Sequence, residues 1–272
     1  MRSPLTLALW QCRATPLDLA GNLKRMDLAA REAARAGAGL LVCPEMCITG
    51  YAIGAPAVQA LAQAADGAWA HAVAAIAQRH HIAVVYGYPE RTEDGRVFNA
   101  AQWSDAAGKR CLNYRKAYLF GDLDHAQFAA GAPSASVFDF HGWTVGMLIC
   151  YDVEFPEATR ALALAGADLI VVPTANMRDY DFVARSLVPV RAYENQLYVA
   201  YANFTGSEGP LEYGGLSLLA GPDGVALTQA GREETLLIAT LADEELAAAR
   251  CAAQHVLDFK ALHHKAPIQG RS

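Results

Sequence analysis

The chain has 272 residues, of which 53% are hydrophobic and 18% are charged, and its formal net charge is −6. This composition is too apolar for a disordered protein and is sufficient for one large folded domain covering residues 1–272. The acidic balance and the absence of a Lys/Arg cluster exclude nucleic acid as an expected partner, and no apolar run is long enough to predict a membrane span.

In the first half of the chain, apolar strands alternate with helical patterns. Asp18 is placed to cap the first helix, which glycines at 37 and 39 end, and Glu93-Asp94-Gly95 predicts a hairpin turn. The loop at 46–56 and the segment at 116–133 show no regular pattern. The predicted strands are 5–11, 40–43, 82–88, 97–103 and 111–116, and the predicted helices are 19–35 and 66–80.

The second half repeats this alternation. Pro189 is expected to kink or interrupt the helix that contains it. A helix after Asp243 leads into a tail that contains His263 and His264. The predicted strands are 137–140, 144–150, 169–172, 197–203, 216–220 and 236–241, and the other predicted helices are 157–165 and 181–196.

A weak internal repeat relates the two halves. Residues 36–44 (AGAGLLVCP) align with residues 165–173 (AGADLIVVP), and each segment lies between two helices with a strand upstream. Two such halves predict an α/β fold, a four-layer α/β/β/α sandwich of two mixed sheets with a pseudo-two-fold internal repeat. A doubly wound single sheet or a barrel stays open, because alternating strands and helices alone do not separate these folds.

Three predicted strand ends carry polar side chains: Glu45, Lys116 and Cys150. Side chains at the carboxyl ends of strands collect at one end of such a fold. Cys150 lies between a buried strand and a helix start, where backbone N–H groups and the helix dipole favour a thiolate. A nucleophilic thiol also needs a base and donors for the oxyanion, which a carboxylate and a lysine supply. Taken alone, each of these residue types is more often structural than catalytic. Cys150 would then be a core residue, Glu45 a helix cap or surface residue, and Lys116 a solvated charge.

Other chemistries find less support. Cys43 and Cys47 have no second pair of ligands downstream that would predict a zinc site. His125 or His141 is the available base for a Cys–His hydrolase, but nothing in either context singles it out. The sequence also lacks a phosphate-binding loop, a dinucleotide fingerprint and a nucleophilic serine elbow.

Three motifs in this order resemble the signatures of the nitrilase superfamily, the carbon–nitrogen hydrolases. They are PEMCITGY at 44–51, YRK at 114–116 and CYDxxFPE at 150–157. The resemblance covers nearly the whole chain, and it includes PTAN at 173–176 and RAYEN at 191–195. It implies the sandwich fold, a homodimer or higher homo-oligomer, a small-molecule substrate, and no metal or organic cofactor.

The resemblance also implies roles for individual residues. Glu45 becomes the general base, Lys116 the oxyanion stabiliser and Cys150 the nucleophile, with the Tyr151 backbone N–H sharing the oxyanion hole. The expected substrate-binding residues include Tyr51 and Asn176.

The family often has a second glutamate shortly after the lysine, which holds the lysine and the substrate. Its expected equivalent here is Asp124, one methylene shorter, with Asp122 as a neighbouring candidate.

Several segments resemble the branch of this superfamily that hydrolyses ω-amino amides, such as 5-aminopentanamide in bacterial lysine breakdown. Glu154 stands where relatives acting on carboxylate-bearing substrates tend to carry arginine, and a carboxylate there favours an ammonium group. Alternatively, Glu154 pairs with a nearby arginine or caps the next helix. A general short-chain amidase, a nitrilase and a catalytically silent binding protein are the rival functions. The segments are 84–90, 119–121, 151–157, 172–177 and 201–203.

The cellular location is predicted from the cysteines and the first residues. Most of the six cysteines lie in apolar runs without the spacing of a disulfide framework, and the N-terminal stretch has the pattern of a strand, not of a signal peptide. We therefore expect a cytoplasmic protein.

Overall fold

The computed structural model describes residues 2–263, and these residues form fourteen strands and eight α-helices. The strands are β1 (Leu5–Gln11), β2 (Leu40–Val42), β3 (Ala83–Arg91), β4 (Val97–Ser104), β5 (Arg110–Arg115), β6 (Val137–Phe140), β7 (Trp143–Met147), β8 (Leu169–Thr174), β9 (Tyr198–Asn203), β10 (Thr205–Glu208), β11 (Leu211–Gly214), β12 (Leu218–Ala220), β13 (Ala226–Gln229) and β14 (Thr235–Leu241). The helices are α1 (Leu19–Arg35), α2 (Ala55–Leu61), α3 (Ala68–His80), α4 (Gly121–Gln127), α5 (Pro156–Leu164), α6 (Val188–Asn195), α7 (Asp243–Ala252) and α8 (His255–His263).

Two six-stranded mixed sheets repeat one strand order. In the first sheet the order is β14-β1-β2-β3-β4-β5, and in the second it is β6-β7-β8-β9-β12-β13. Each sheet has three central parallel strands, β1-β2-β3 or β7-β8-β9, with antiparallel strands on both sides. The predicted α/β fold with two mixed sheets and an internal repeat is confirmed, and the single sheet and the barrel are excluded.

The alternation of side chains along the strands explains the four layers. In β1, Leu7 and Leu9 belong to the apolar core between the two sheets, whereas Ala8 faces the side of the sheet that α1 and α3 cover. Met26 of α1 is one of the fully buried side chains on that outer side. α5 and α6 cover the second sheet in the corresponding way. Each large apolar side chain buried here contributes roughly 1.5–3 kcal/mol, so both faces of each sheet stabilise the fold.

The structure corrects the prediction around Cys150. The strand predicted to reach residue 150 ends at Met147, and a 3₁₀ turn runs from Cys150 to Glu154. Cys150 itself has a φ of 45°, in the left-handed region, which a strand cannot contain. The apolar run therefore predicted burial correctly but placed the end of the strand too late.

Pro189 falls in the first turn of α6, directly after a π-helical turn at Val183–Leu187, so the predicted interruption of the helix near this proline is confirmed. Other differences lie outside the central strands. The short helices α2 and α4 and the hairpin β10–β11 were not predicted. The tail from His264 onward lies outside the described residues. Within residues 2–263, we find no helix of the length and hydropathy needed to cross a membrane.

Candidate active site

Glu45 follows β2 at the place where the two sheets meet. Its backbone N–H donates to Thr174 O at the end of β8, with an N–O distance of 3.3 Å. Gly87 of β3 makes room for this backbone, because a Cβ at Gly87 would clash with Met46 N. The fully buried Glu45 side chain is therefore anchored by both halves of the molecule.

We expect Gly87→Ala to lower kcat roughly 10²-fold, because Glu45 is the predicted general base and even an ångström-scale displacement misaligns a proton-transfer group. Gly39→Ala is the matched control, since Gly39 lies at the other end of β2 and its added Cβ would meet only ordinary contacts at 3.9 Å. Steady-state kinetics of both variants at equal folded fraction test this expectation. Equal kcat in the two variants would contradict it.

Lys116 follows β5, and two hydrogen bonds hold its backbone in place. Its N–H donates to Asn99 O at 2.8 Å, and its C=O accepts from Gly131 N at 2.8 Å. The side chain then reaches two buried carboxylates, with Nζ 2.8 Å from Glu45 Oε1 and 2.7 Å from Asp124 Oδ2. The structure thus brings together a carboxylate from the first half of the chain and a cation from its middle.

Asp124, and not Asp122, is the second carboxylate at Lys116. Asp124 is buried in α4, and its Oδ2 also accepts a hydrogen bond from Phe120 N at 2.9 Å. Asp122 is exposed on the same helix. The open choice between the two residues is therefore resolved by position, although the carboxylate is shorter than that of the glutamate often found in the family.

The two oxygens of Glu45 have different environments. Oε1 accepts from Lys116 Nζ and, at 2.6 Å, from Asn99 Nδ2. Oε2 is buried and has no hydrogen-bond partner within the described residues. Burial raises the pKa of Glu45, Lys116 opposes this and Asp124 adds to it, so the net shift is upward. A carboxylate with one free oxygen and a raised pKa is suited to accept a proton.

Lys116 keeps its charge in this buried position. Burial alone would lower its pKa, but the carboxylates of Glu45 and Asp124 raise the pKa above the ordinary lysine value. An ammonium has three N–H donors. Since two of them point to the carboxylates, one donor is left for a further acceptor.

Cys150 is only partly buried, and its thiol lies within electrostatic reach of Glu45 and Lys116. Burial raises the pKa of this thiol, and Glu45 raises it further. Lys116 and the Ala175 backbone amide lower it, but the net shift is well upward. The thiol is therefore protonated at neutral pH, and a nucleophilic role requires a neighbouring base.

Tyr151 lies at the N-terminal end of the 3₁₀ turn, where backbone N–H groups lack acceptors within the turn. Its ring packs against two aromatic rings, one from the segment after Lys116 and one from the segment after Cys150. The Tyr151 ring lies edge-on to Phe120 at 5.3 Å and to Phe155 at 5.0 Å between centroids.

The two other predicted substrate-binding residues lie in different surroundings. The buried ring of Tyr51 has its centroid 5.7 Å from Lys116 Nζ, which places it at the charged cluster. The side-chain amide of Asn176 instead donates to Tyr180 O at 3.0 Å and so holds its own loop together. Substrate contact by either residue stays a prediction.

Glu154 is half-buried, and its carboxylate forms no ion pair or hydrogen bond within residues 2–263. The nearby arginine, Arg191, binds main-chain oxygens instead, Val153 O at 2.9 Å and Glu154 O at 2.6 Å, and pairs with Glu194. Within the described residues, the start of α5 has no side-chain capping hydrogen bond. Neither structural alternative for Glu154 is observed, and burial raises its pKa.

Three residues of the site were not assigned from the sequence. Asn99 is an amide within apolar β4, a signal that was available. Asp152 lies inside the motif at 150–157 and bonds to backbone amides near both Cys150 and Lys116. Glu208, in the unpredicted hairpin, accepts hydrogen bonds from Tyr51 N at 3.3 Å and Ala52 N at 3.0 Å, and so holds the loop that follows Glu45.

Comparisons with known proteins show which family this chain is similar to. The model of the carbon–nitrogen hydrolase family matches residues 6–250. A Pseudomonas protegens protein, described as a hydrolase in the pqqF 5′ region, is 52% identical over 93% of this chain and 88% of its own. An (R)-stereoselective amidase of Pseudomonas sp. is 35% identical over 86% of this chain and 83% of its own.

Solved structures show the same architecture. The Nesterenkonia sp. AN1 amidase of the nitrilase superfamily superposes with a TM-score of 0.82 at 34% identity, covering 96% of both chains. A glutamate-to-glutamine variant of that amidase carries the acetamide moiety of fluoroacetamide covalently on its active-site cysteine.

Proposed function

This chain belongs to the carbon–nitrogen hydrolase family and is an amidase of the nitrilase superfamily; we propose that it hydrolyses a small linear aliphatic amide through a thioester on Cys150. The observation that carries the proposal is the buried contact of Lys116 with Glu45 and Asp124, beside the partly exposed Cys150 thiol. The cysteine adduct of the Nesterenkonia amidase supports the role given to Cys150.

In the first step, Glu45 Oε2 accepts the thiol proton while the Cys150 sulfur attacks the amide carbon. The carbonyl electrons move to oxygen, where the third N–H of Lys116 and the Tyr151 backbone N–H stabilise the oxyanion. Glu45, now protonated, gives its proton to the amide nitrogen. The C–N bond breaks, ammonia leaves, and the acyl group remains on sulfur.

In the second step, Glu45 removes a proton from water, which attacks the thioester carbon. The C–S bond breaks, the carboxylic acid leaves, and the thiolate recovers the proton from Glu45. The balance is one amide and one water consumed for one acid and one ammonia.

We propose an ω-amino amide such as 5-aminopentanamide as the substrate, which would place the enzyme in lysine breakdown. The half-buried Glu154 carboxylate, free of a protein partner within the described residues, supports an ammonium group at the far end of the substrate. The proposal includes a cytoplasmic location and a homodimeric or higher assembly.

We expect Glu154→Gln to lower kcat/KM for 5-aminopentanamide by about 10- to 100-fold, since a hydrogen bond to a charged group contributes roughly 1.5–3 kcal/mol. Neutral pentanamide should be hydrolysed equally by the variant and the wild type. Glu154→Arg should shift preference toward ω-amidic acids. Glu157→Gln, an exposed carboxylate in the first turn of α5, is the matched control.

Equal losses of kcat/KM on both amides, or no loss on either, would remove Glu154 from the substrate site.

An ammonia-release screen of the wild type separates the rival functions. Faster hydrolysis of pentanamide than of 5-aminopentanamide would favour a general short-chain amidase, and ammonia from the matching nitrile would favour a nitrilase. Release from no compound in the panel would favour a binding protein.

A further inference from the structure

The Asp152 carboxylate joins the two segments that carry Cys150 and Lys116. Its Oδ1 accepts from Ala117 N at 3.2 Å and Tyr118 N at 2.9 Å, the two amides after Lys116. Its Oδ2 accepts from Ile149 N at 3.1 Å, the amide before Cys150. One fully buried side chain therefore contacts the backbone on both sides of the proposed catalytic pocket.

We infer that Asp152 is a positioning residue that sets the separation of Lys116 and Cys150 and holds Cys150 in its left-handed conformation. The inference rests on the proposed function of those two residues. A left-handed backbone at a non-glycine residue is strained and persists only when its surroundings fix it. The bond from Ile149 N to Asp152 closes the backbone on either side of Cys150 and supplies such a constraint.

Only a carboxylate satisfies these contacts. Three backbone N–H groups converge on its two oxygens, and both oxygens act as acceptors. An asparagine would turn an NH₂ group toward at least one of these donors. A protonated aspartic acid also loses acceptor capacity, so the contact requires the ionised form.

Asp152 changes between its ionised and its protonated form within the pH range of an enzyme assay. Burial raises its pKa to about 6, against the opposing effects of the Tyr118 and Ile149 amides, the Lys116 charge and the Tyr114 hydroxyl. Below about pH 6 the wild-type residue is protonated and resembles asparagine. Above it, the carboxylate accepts all three backbone bonds.

The test compares Asp152→Asn with wild type from pH 5 to pH 8. We expect kcat at pH 7.5 to fall roughly 10²-fold with little change in KM, and the ratio of wild-type to variant kcat to approach one below about pH 6. Asp168→Asn is the matched control, because Asp168 is a buried carboxylate that accepts from Thr144 N at 3.0 Å and pairs with Arg2 and Arg250.

The control should lower the melting temperature but leave kcat unchanged where the protein is folded. A wild-type kcat in Asp152→Asn, or a loss that does not depend on pH, would overturn the inference. If Asp152→Asn does not fold, Tyr114→Phe provides a second test, because removing the hydroxyl raises the pKa of Asp152 and should move the acid limb of the kcat–pH profile to higher pH than in the wild type. An unmoved limb would also overturn it.

A second readout does not depend on any amide substrate. Lys116 lowers the pKa of the Cys150 thiol, so displacing Lys116 should slow alkylation of Cys150 by iodoacetamide several-fold at pH 8. Equal labelling rates in wild type and Asp152→Asn would contradict the positioning role. Suppose that the wild type hydrolyses no amide, but that Cys150 is still labelled more slowly in Asp152→Asn than in the wild type. That result would reject the proposed function and leave the positioning role of Asp152 standing.

Discussion

Replacing Cys150 with alanine should lower ammonia release roughly 10⁴-fold or more, because without the sulfur no thioester forms. The fold should persist, since the side chain is partly exposed and small. Stopped assays of ammonia together with thermal unfolding curves provide the measurement.

Cys111→Ala is the matched control for the loss of a thiol, because Cys111 is also partly exposed but lies on β5 away from the lysine cluster. It should retain full activity. Appreciable turnover by a folded Cys150→Ala protein would rule out the thioester mechanism, whatever the substrate.

Replacing Glu45 with glutamine should lower kcat by about 10²–10⁴-fold, the usual contribution of a general base. The pKa of Glu45 is raised, so the carboxylate becomes active only as pH rises through a value above that of an ordinary glutamate. Wild-type kcat/KM should therefore rise with pH on an acid limb to which Glu45 contributes. In the variant that contribution should disappear.

Glu90→Gln serves as the control, since Glu90 is also a buried carboxylate with a cationic partner, Arg115, at 2.6 Å. It should reduce stability without changing the pH profile of the remaining activity. A folded Glu45→Gln protein that keeps the wild-type kcat would show that another group is the base.

The positions of Glu45 and Cys150 were predictable because each follows a buried apolar run. β5, before Lys116, is polar and only partly buried, and that lysine was assigned from its motif. A run of apolar residues reports burial, and polar residues directly after it mark the strand end. The internal repeat then indicated two sheets, and the sheet edge brought Glu45 and Lys116 together in the structure.

The connections between these segments were not predictable in the same way. Asp152 and Glu208 act through backbone amides of residues distant in sequence, and such contacts leave no periodic pattern. The left-handed φ of Cys150 is likewise set by its surroundings and not by local propensity. Tertiary contacts also decide which of two nearby carboxylates, Asp124 or Asp122, reaches Lys116.

The most direct test of the account is rapid acid quenching of the enzyme during turnover of its preferred amide, followed by mass spectrometry of the peptides. Covalent catalysis predicts that the peptide containing Cys150 gains the mass of the substrate minus ammonia. This modified peptide should decay as the carboxylic acid product appears. Ammonia release with unmodified Cys150 at every time point, or an acyl group on a different residue, would contradict it.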